Sequence, residues 1–192
     1  MVNQGNIRVV ARIRPFSDLI GASRKSCLEI DLANSTVTVK SPSREQKFEV
    51  NTVFNENSDQ GTIYANVGRS IVDSFVEGIN ATIFAYGQTG SGKTYTMIGP
   101  DTVDPSSSTN SEDTRGIIPR ALEEIFAKLN AQVEMKPETF KVSIKCSFLE
   151  LYNEKLYDLL KDDDAAIKIQ SGSKQVTVVG AAEFEVTTYE EC

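Results

Sequence analysis

The chain has 192 residues, 40% of them apolar and 24% charged, the proportions of an ordinary globular protein with a sizeable core. Its net charge of −7 is uneven: residues 1–96 carry 10 Lys+Arg against 9 Asp+Glu and residues 97–192 carry 10 against 18, which argues against a nucleic-acid partner. Histidine is absent, which excludes His-based triads and His-containing metal sites, and no apolar run is long enough to cross a membrane.

The N-terminus "MVNQGNIRVV" lacks the charged and apolar regions of a signal peptide. "NIRVVARIRP" alternates, with Ile7, Val9, Ala11 and Ile13 on one face, and predicts a strand ended by Pro15. "CLEIDLANSTVTVKS" predicts two strands joined by a turn at Ala33, Asn34 and Ser35, and "KFEVNTVF" predicts one further short strand. Cys27, Cys146 and Cys192 are odd in number and widely spaced. Cys27 and Cys146 lie in apolar, strand-like runs, as expected of reduced core residues in a cytosolic protein. Ser58 is expected to cap a helix beginning near Asp59, with Ile63, Val67, Ile71 and Phe75 at four-residue spacing and Gly78 at its end. "ATIFAY" is short, apolar on both faces and rich in β-formers, which predicts a buried central strand. A glycine loop follows, and then a helix from near Gly92.

Residues 99–115, "GPDTVDPSSSTNSEDTR", are polar with two prolines and predict a surface loop or insertion. Pro119 then sits at the start of a helix with the stripe Leu122, Ile125, Phe126 and Leu129. "TFKVSIKCSFLELY" alternates through Phe140, Val142, Ile144, Cys146 and Phe148 and predicts one long strand with a wet face. "NEKLYDLL" predicts a short helix or turn, and residues 162–164, "DDD", a solvated loop. Short strands are expected at residues 167–170, 176–179 and 184–186, with a helix's first turn at residues 188–191. Strands alternating with helices argue an α/β sheet.

Within "FAYGQTGSGKTYTM", residues 84–97, the run Gly87, Gln88, Thr89, Gly90, Ser91, Gly92, Lys93, Thr94 fits G-x-x-x-x-G-K-[ST] at every fixed position. Glycines let such a loop curl so that successive N–H groups face phosphate oxygens, and the next helix adds free N–H groups. Lys93 would neutralise β- and γ-phosphates, and the Thr94 hydroxyl would ligate Mg²⁺. Chance produces the four fixed positions in roughly half a percent of chains this long. With an apolar strand before the loop and a helix after it, the residues point to a nucleotide-phosphate site.

"IFAYGQTGSGKTYTM" resembles the signature of the kinesin motor domain, well beyond the generic loop pattern. The similarity continues through "NIRVVARIRP", "VFNENSDQGTIYANV", "RGIIPRALEEIF" and "CSFLELYNEKLYDLL", in kinesin order, from residue 6 onward. Within the family, "MIGP", "KCSFLELYNEKLYDLL" and "VVGAAEF" lean toward mitotic plus-end-directed kinesins with N-terminal motors. The resemblance implies an α/β P-loop NTPase fold, with a central mixed β-sheet flanked by helices. Residues 1–192 would be the N-terminal part of one motor domain, truncated before the switch regions. It implies ATP or ADP with Mg²⁺ as ligands. The complete protein would be a microtubule-stimulated ATPase moving along tubulin, in the cytoplasm on microtubules, the mitotic spindle among them. Nucleic acid and membrane are not expected as partners, and dimerisation or higher assembly would come from a stalk outside these residues.

The resemblance also assigns the adenine end. "RIRP" matches the motif whose arginine and proline lie against the base, so Arg12 and Pro15 are candidates, and Tyr95 matches a position often near adenine. An arginine face and a proline edge can flank a π-surface. For Tyr95, stacking and core packing both remain open; for Arg14 a surface ion pair is expected. The polar loop corresponds to a family insertion of variable length near the pocket. Lys168 and Lys174 fall in a region that contributes to the microtubule face in kinesins, and also suit ordinary surface positions.

Hydrolysis needs a group opposite Thr94 on Mg²⁺ and a network to position water. Kinesins carry these in N-x-x-S-S-R-S-H and D-x-x-G-S-E, and neither occurs here; "DLIG", residues 18–21, is the only Asp-x-x-Gly and lacks the Ser-Glu. No catalytic residue is therefore expected within these residues, which should be inactive by themselves. In the kinesin sheet the P-loop strand lies between two strands from later in the chain, so its edges would stand open here. The leading reading is part of an active motor; the alternatives are a nucleotide-binding interaction module without turnover and another class of P-loop NTPase.

Overall fold

Val10, Ala11 and Arg12 form β1 (Val10–Arg12), which pairs in parallel with β5 (Thr52–Phe54), Val10 opposite Thr52 and Arg12 opposite Phe54. The computed structural model describes residues 7–15, 26–100, 114–161, 167–172 and 176–192. Residues 18–21, most of the polar loop (101–113), the acidic run 162–164 and Lys174 lie outside the described residues. The chain divides into two compact units, residues 1–121 and 122–192.

In the first unit, β2 (Leu28–Asp31), β3 (Thr36–Ser41) and β4 (Arg44–Glu49) make an antiparallel meander. Its first turn falls at the expected residues: Asp31 accepts from the Asn34 backbone and side chain, and Ser35 takes a left-handed φ of 51°. "KFEVNTVF", expected as one strand, is divided between β4 and β5. The chain changes direction at Val50 and Asn51, where the Asn51 N–H donates to Val9 O and its side-chain Oδ1 accepts from the Val9 N–H. Cys27 is exposed beside β2 and is no core residue.

The helix runs as α1 (Gln60–Val67) and α2 (Arg69–Val76), interrupted at Gly68. The N-cap is Asp59 and not Ser58, because the Ser58 hydroxyl donates to Asn55 while Asp59 Oδ1 accepts from the Thr62 N–H at 2.7 Å. At the far end, Gly78 N–H donates to Phe75 O and Ile79 N–H to Ser74 O, with Gly78 at φ 88°, a left-handed glycine cap. Phe54, Ile63, Tyr64 and Ile117 form the core of this unit, with Val10, Val67, Ile83, Met97 and Ala121 packed against them. Ile63 is 2% exposed, and burying such a side chain contributes about 1.5–3 kcal/mol.

Residues 81–86 are the main departure from expectation. They run without strand pairing, and Phe84 and Tyr86 are 81% and 90% exposed. A strand is a partnership: apolar composition supplies the faces but not the neighbour that takes its backbone hydrogen bonds. Among the described residues nothing pairs with this segment. After the glycine loop comes α3 (Lys93–Met97), then α4 (Ile117–Met135). Pro119 lies in the first turn of α4, where its missing N–H has no helical acceptor to lose. The ends of the polar loop meet here: Gly116 N–H donates to Ile98 O at 2.9 Å. A Cβ at Gly116 would lie 2.5 Å from the Met97 carbonyl carbon, and one at Gly99 would lie 2.8 Å from Thr114 O, so both positions require glycine.

In the second unit, Phe126 and Leu129 of α4 are buried, as the stripe predicts, while Leu122 and Ile125 are half-buried. The expected long strand at residues 139–152 resolves into β6 (Ile144–Cys146) and β7 (Leu149–Tyr152), and Phe148 between them is exposed. "NEKLYDLL" is neither helix nor bare turn. Asn153 and Glu154 take φ of 48° and 63°, the pattern of a two-residue type I′ hairpin, and β8 (Lys155–Asp158) returns against β7. The three last strands stand as expected: β9 (Lys168–Ser171) pairs with β10 (Val176–Val179), and β11 (Phe184–Val186) pairs with β6. A 3₁₀ turn (Tyr189–Glu191) follows, capped by Thr188 and Glu191.

Candidate functional site

The glycine loop folds by local rules. Gly90 and Gly92 take φ of 78° and 97°, open to glycine and strained for other residues. At Gly87 the demand is space, since a Cβ would sit 2.4 Å from Ser91 Oγ. The Ser91 N–H closes a turn onto Gln88 O, and the Thr96 N–H closes the first turn of α3 onto Gly92 O. Lys93 Nζ lies across this loop, donating to Gly87 O at 2.9 Å and Gln88 O at 3.0 Å. Arg14 donates to Gly90 O, so the arginine expected in a surface ion pair is attached to the loop instead.

A cleft of about 730 Å³ opens beside the loop, lined by the loop itself and by Arg12, Arg14, Pro15, Glu56, Tyr95 and Ile83 among others. Three of its lining side chains are cationic and one is a carboxylate, so the cleft suits an anion. Thr94 also lines it and is exposed. A single hydroxyl at this position fits Mg²⁺, which keeps most of its shell as water and phosphate oxygens.

At one end, the Arg12 guanidinium lies 5.3 Å from the centroid of the Tyr95 ring, which is 44% exposed. Stacking, one of the two roles open for Tyr95, is what this arrangement allows, and core packing is not observed. Arg12 also donates to Gln60 Oε1 and Thr96 Oγ1, both at 2.9 Å. Burial pulls the Arg12 pKa below its ordinary value, opposed by Tyr95 and Asp59; the guanidinium remains charged. Pro15 is exposed on the same cleft.

The sequence-predicted residues Arg12, Pro15, Gly90, Ser91, Gly92, Lys93, Thr94 and Tyr95 thus converge on one cleft. Gly87 and Gln88 enter through their carbonyls on Lys93, while Thr89 is an exposed loop residue. Gln60 was not foreseen. Its signal was available: it stands one turn before Ile63 and Tyr64, a polar residue on the buried face of α1, and is 3% exposed.

A family model described as the kinesin motor domain matches residues 12–192. Human kinesin-like protein KIF15 is 38% identical over 194 residues, covering 98% of this chain and 14% of that protein. The kinesin heavy chain of Syncephalastrum racemosum is 36% identical over 188 residues, covering 97% and 19%. A solved structure of a fast kinesin matches with a TM-score of 0.81 at 31% identity, over 96% of this chain and 49% of that one. The chain therefore spans about one seventh of the first relative's length and about half of the solved chain.

Proposed function

The chain belongs to the kinesin motor domain family, and on that premise we propose that it is the ATP-binding part of a microtubule-based motor. The observation that carries this reading is the single cleft in which the glycine loop, Lys93 and Thr94 meet Arg12, Pro15 and Tyr95. A triphosphate on residues 87–94 would turn its base toward the Arg12–Tyr95 shelf. Lys93 would shift its donors from the loop carbonyls to phosphate oxygens. Arg14, held on Gly90 O, would keep the loop's curvature and add positive potential. Mg²⁺ would be held by Thr94 together with phosphate oxygens, where it would spread the charge of the terminal phosphate.

Residues 1–192 supply binding but neither of the two motifs that position water and the far side of Mg²⁺ in this family. We therefore assign microtubule-stimulated turnover to the complete protein, with residues 1–192 as the N-terminal part of one motor domain and inactive by themselves. Tubulin is the expected partner and microtubules the expected location; Lys168 is exposed, as a contact to an acidic surface requires. The test is a fluorescent ATP-analogue titration of Lys93→Ala in the complete native protein. A charge-assisted contact is worth about 1.5–3 kcal/mol, so affinity should fall about 10- to 100-fold or more. Unchanged affinity would remove the phosphate-site assignment.

A further inference from the structure

Gln60 makes three hydrogen bonds from a position that is almost wholly buried: Oε1 accepts from Arg12 Nη1 at 2.9 Å, and Nε2 donates to Tyr95 O at 2.7 Å and Thr114 O at 3.2 Å. Only one orientation of the amide satisfies this set. Nε2 faces two carbonyl acceptors and Oε1 faces a guanidinium donor, so a flipped amide would oppose like groups at all three contacts. The two components of the stacking shelf therefore hang on the two ends of one side chain, Arg12 on the oxygen and Tyr95, through its carbonyl, on the nitrogen.

We propose that Gln60 is a positioning residue that sets the Arg12–Tyr95 shelf and thereby selects a base-bearing triphosphate over a bare polyphosphate. The proposal rests on the reading of the cleft as a nucleotide site. Arg12 is fixed by Gln60 and Thr96 with its guanidinium carbon 5.3 Å from the Tyr95 ring centroid, and a cation and a ring paired in this way can flank any flat heterocycle without a base-specific pattern. Gln60 is outside the cleft lining, so its influence passes through those two residues. Among the natural side chains, a glutamine offers both an acceptor and a paired donor at this reach. Glutamate would keep the Arg12 contact but turn an acceptor on two carbonyls, and methionine would keep the volume and lose all three bonds.

The experiment measures Kd for MgATP and for magnesium tripolyphosphate, in the complete native protein and in Gln60→Met, Gln60→Glu and Tyr95→Ala. Gln60→Met is expected to weaken MgATP about tenfold or more, the size of effect of losing a hydrogen bond to a charged group, while tripolyphosphate stays within about twofold. Gln60→Glu, which preserves shape should Gln60→Met fail to fold, is expected to show the same split. An equal loss for both ligands overturns the proposal, because Gln60 then supports the phosphate loop or the fold as a whole. Unchanged MgATP affinity in both variants also overturns it. Tyr95→Ala separates the two levels: if it leaves MgATP unchanged, the base-end reading fails, whereas if it alone shows the split, only the role of Gln60 fails.

Discussion

Lys93 and Arg14 both direct their donors at carbonyls of the loop that they serve, and the consequences of changing them differ. Lys93→Arg should not rescue phosphate binding as a like-charged residue, because a planar guanidinium cannot replace a compact ammonium between two carbonyls and a phosphate. Thr94→Ala should leave nucleotide binding largely intact and instead flatten its dependence on Mg²⁺, read by titrating the metal at fixed ATP. Asp59 gives a residue-scale prediction in pH. Hydrogen bonds from the Thr62 backbone and hydroxyl hold its carboxyl below the ordinary range. A depressed folded pKa contributes stability that is present above the unfolded value, near 4, and lost as pH falls through the folded one. Asp59→Asn retains a good cap but cannot titrate, so the acid-side loss of melting temperature should be smaller than in the wild type. Asp59→Ala should lose about 1 kcal/mol near neutrality.

Elements show where glycine is required and where sequence reading succeeds. Gly78→Ala meets no atom within 4 Å but must hold φ at 88°, so the cost is backbone strain of about 1–2 kcal/mol. Gly68→Ala keeps an ordinary helical φ but places its Cβ 2.4 Å from the Tyr64 ring, which must then leave the core. Thermal unfolding should show the second variant to be the more damaged. The elements legible in the sequence were those whose signal is local. The capped turn at Thr188, the α4 stripe, the first hairpin and the glycine loop each carry their own caps, turns or periodicity. Residues 81–86 were misread because the pattern of a buried strand records its faces and not its neighbours. The hairpin at Asn153 and Glu154 was missed because glutamate with positive φ is uncommon, and only the pairing of β7 with β8 favours it. In the cleft, the glycine loop with Lys93 and Thr94 was legible from spacing, and the placement of Arg12 and Pro15 from resemblance. Gln60 was not, because its partners come from residues 12, 95 and 114, which sequence proximity cannot join.

For the whole molecule, the exposure of Phe84 and Tyr86 on an unpaired backbone predicts how residues 1–192 behave when expressed alone. Unpaired backbone between exposed apolar side chains templates association. Size-exclusion chromatography should therefore show aggregates, thermal unfolding should lack a sharp transition, and phosphate release should stay at background with or without microtubules. A cooperative monomer with stimulated release would overturn that expectation. The opposite tolerance is expected at the polar loop: replacing residues 105–110 of the complete protein by a short Gly-Ser linker should leave melting within a few degrees. Doubling a loop costs only about 0.6 kcal/mol in closure entropy. The reason lies in the contact of Gly116 with Met97 and Ile98, and of Gly99 with Thr114, which clamps the two ends together. Such a clamp is a boundary condition: whatever is spliced between the ends starts and finishes at the same two fixed points. That makes residues 105–110 a port, where a small fluorophore-binding tag or an epitope could be grafted between ends whose spacing is already set.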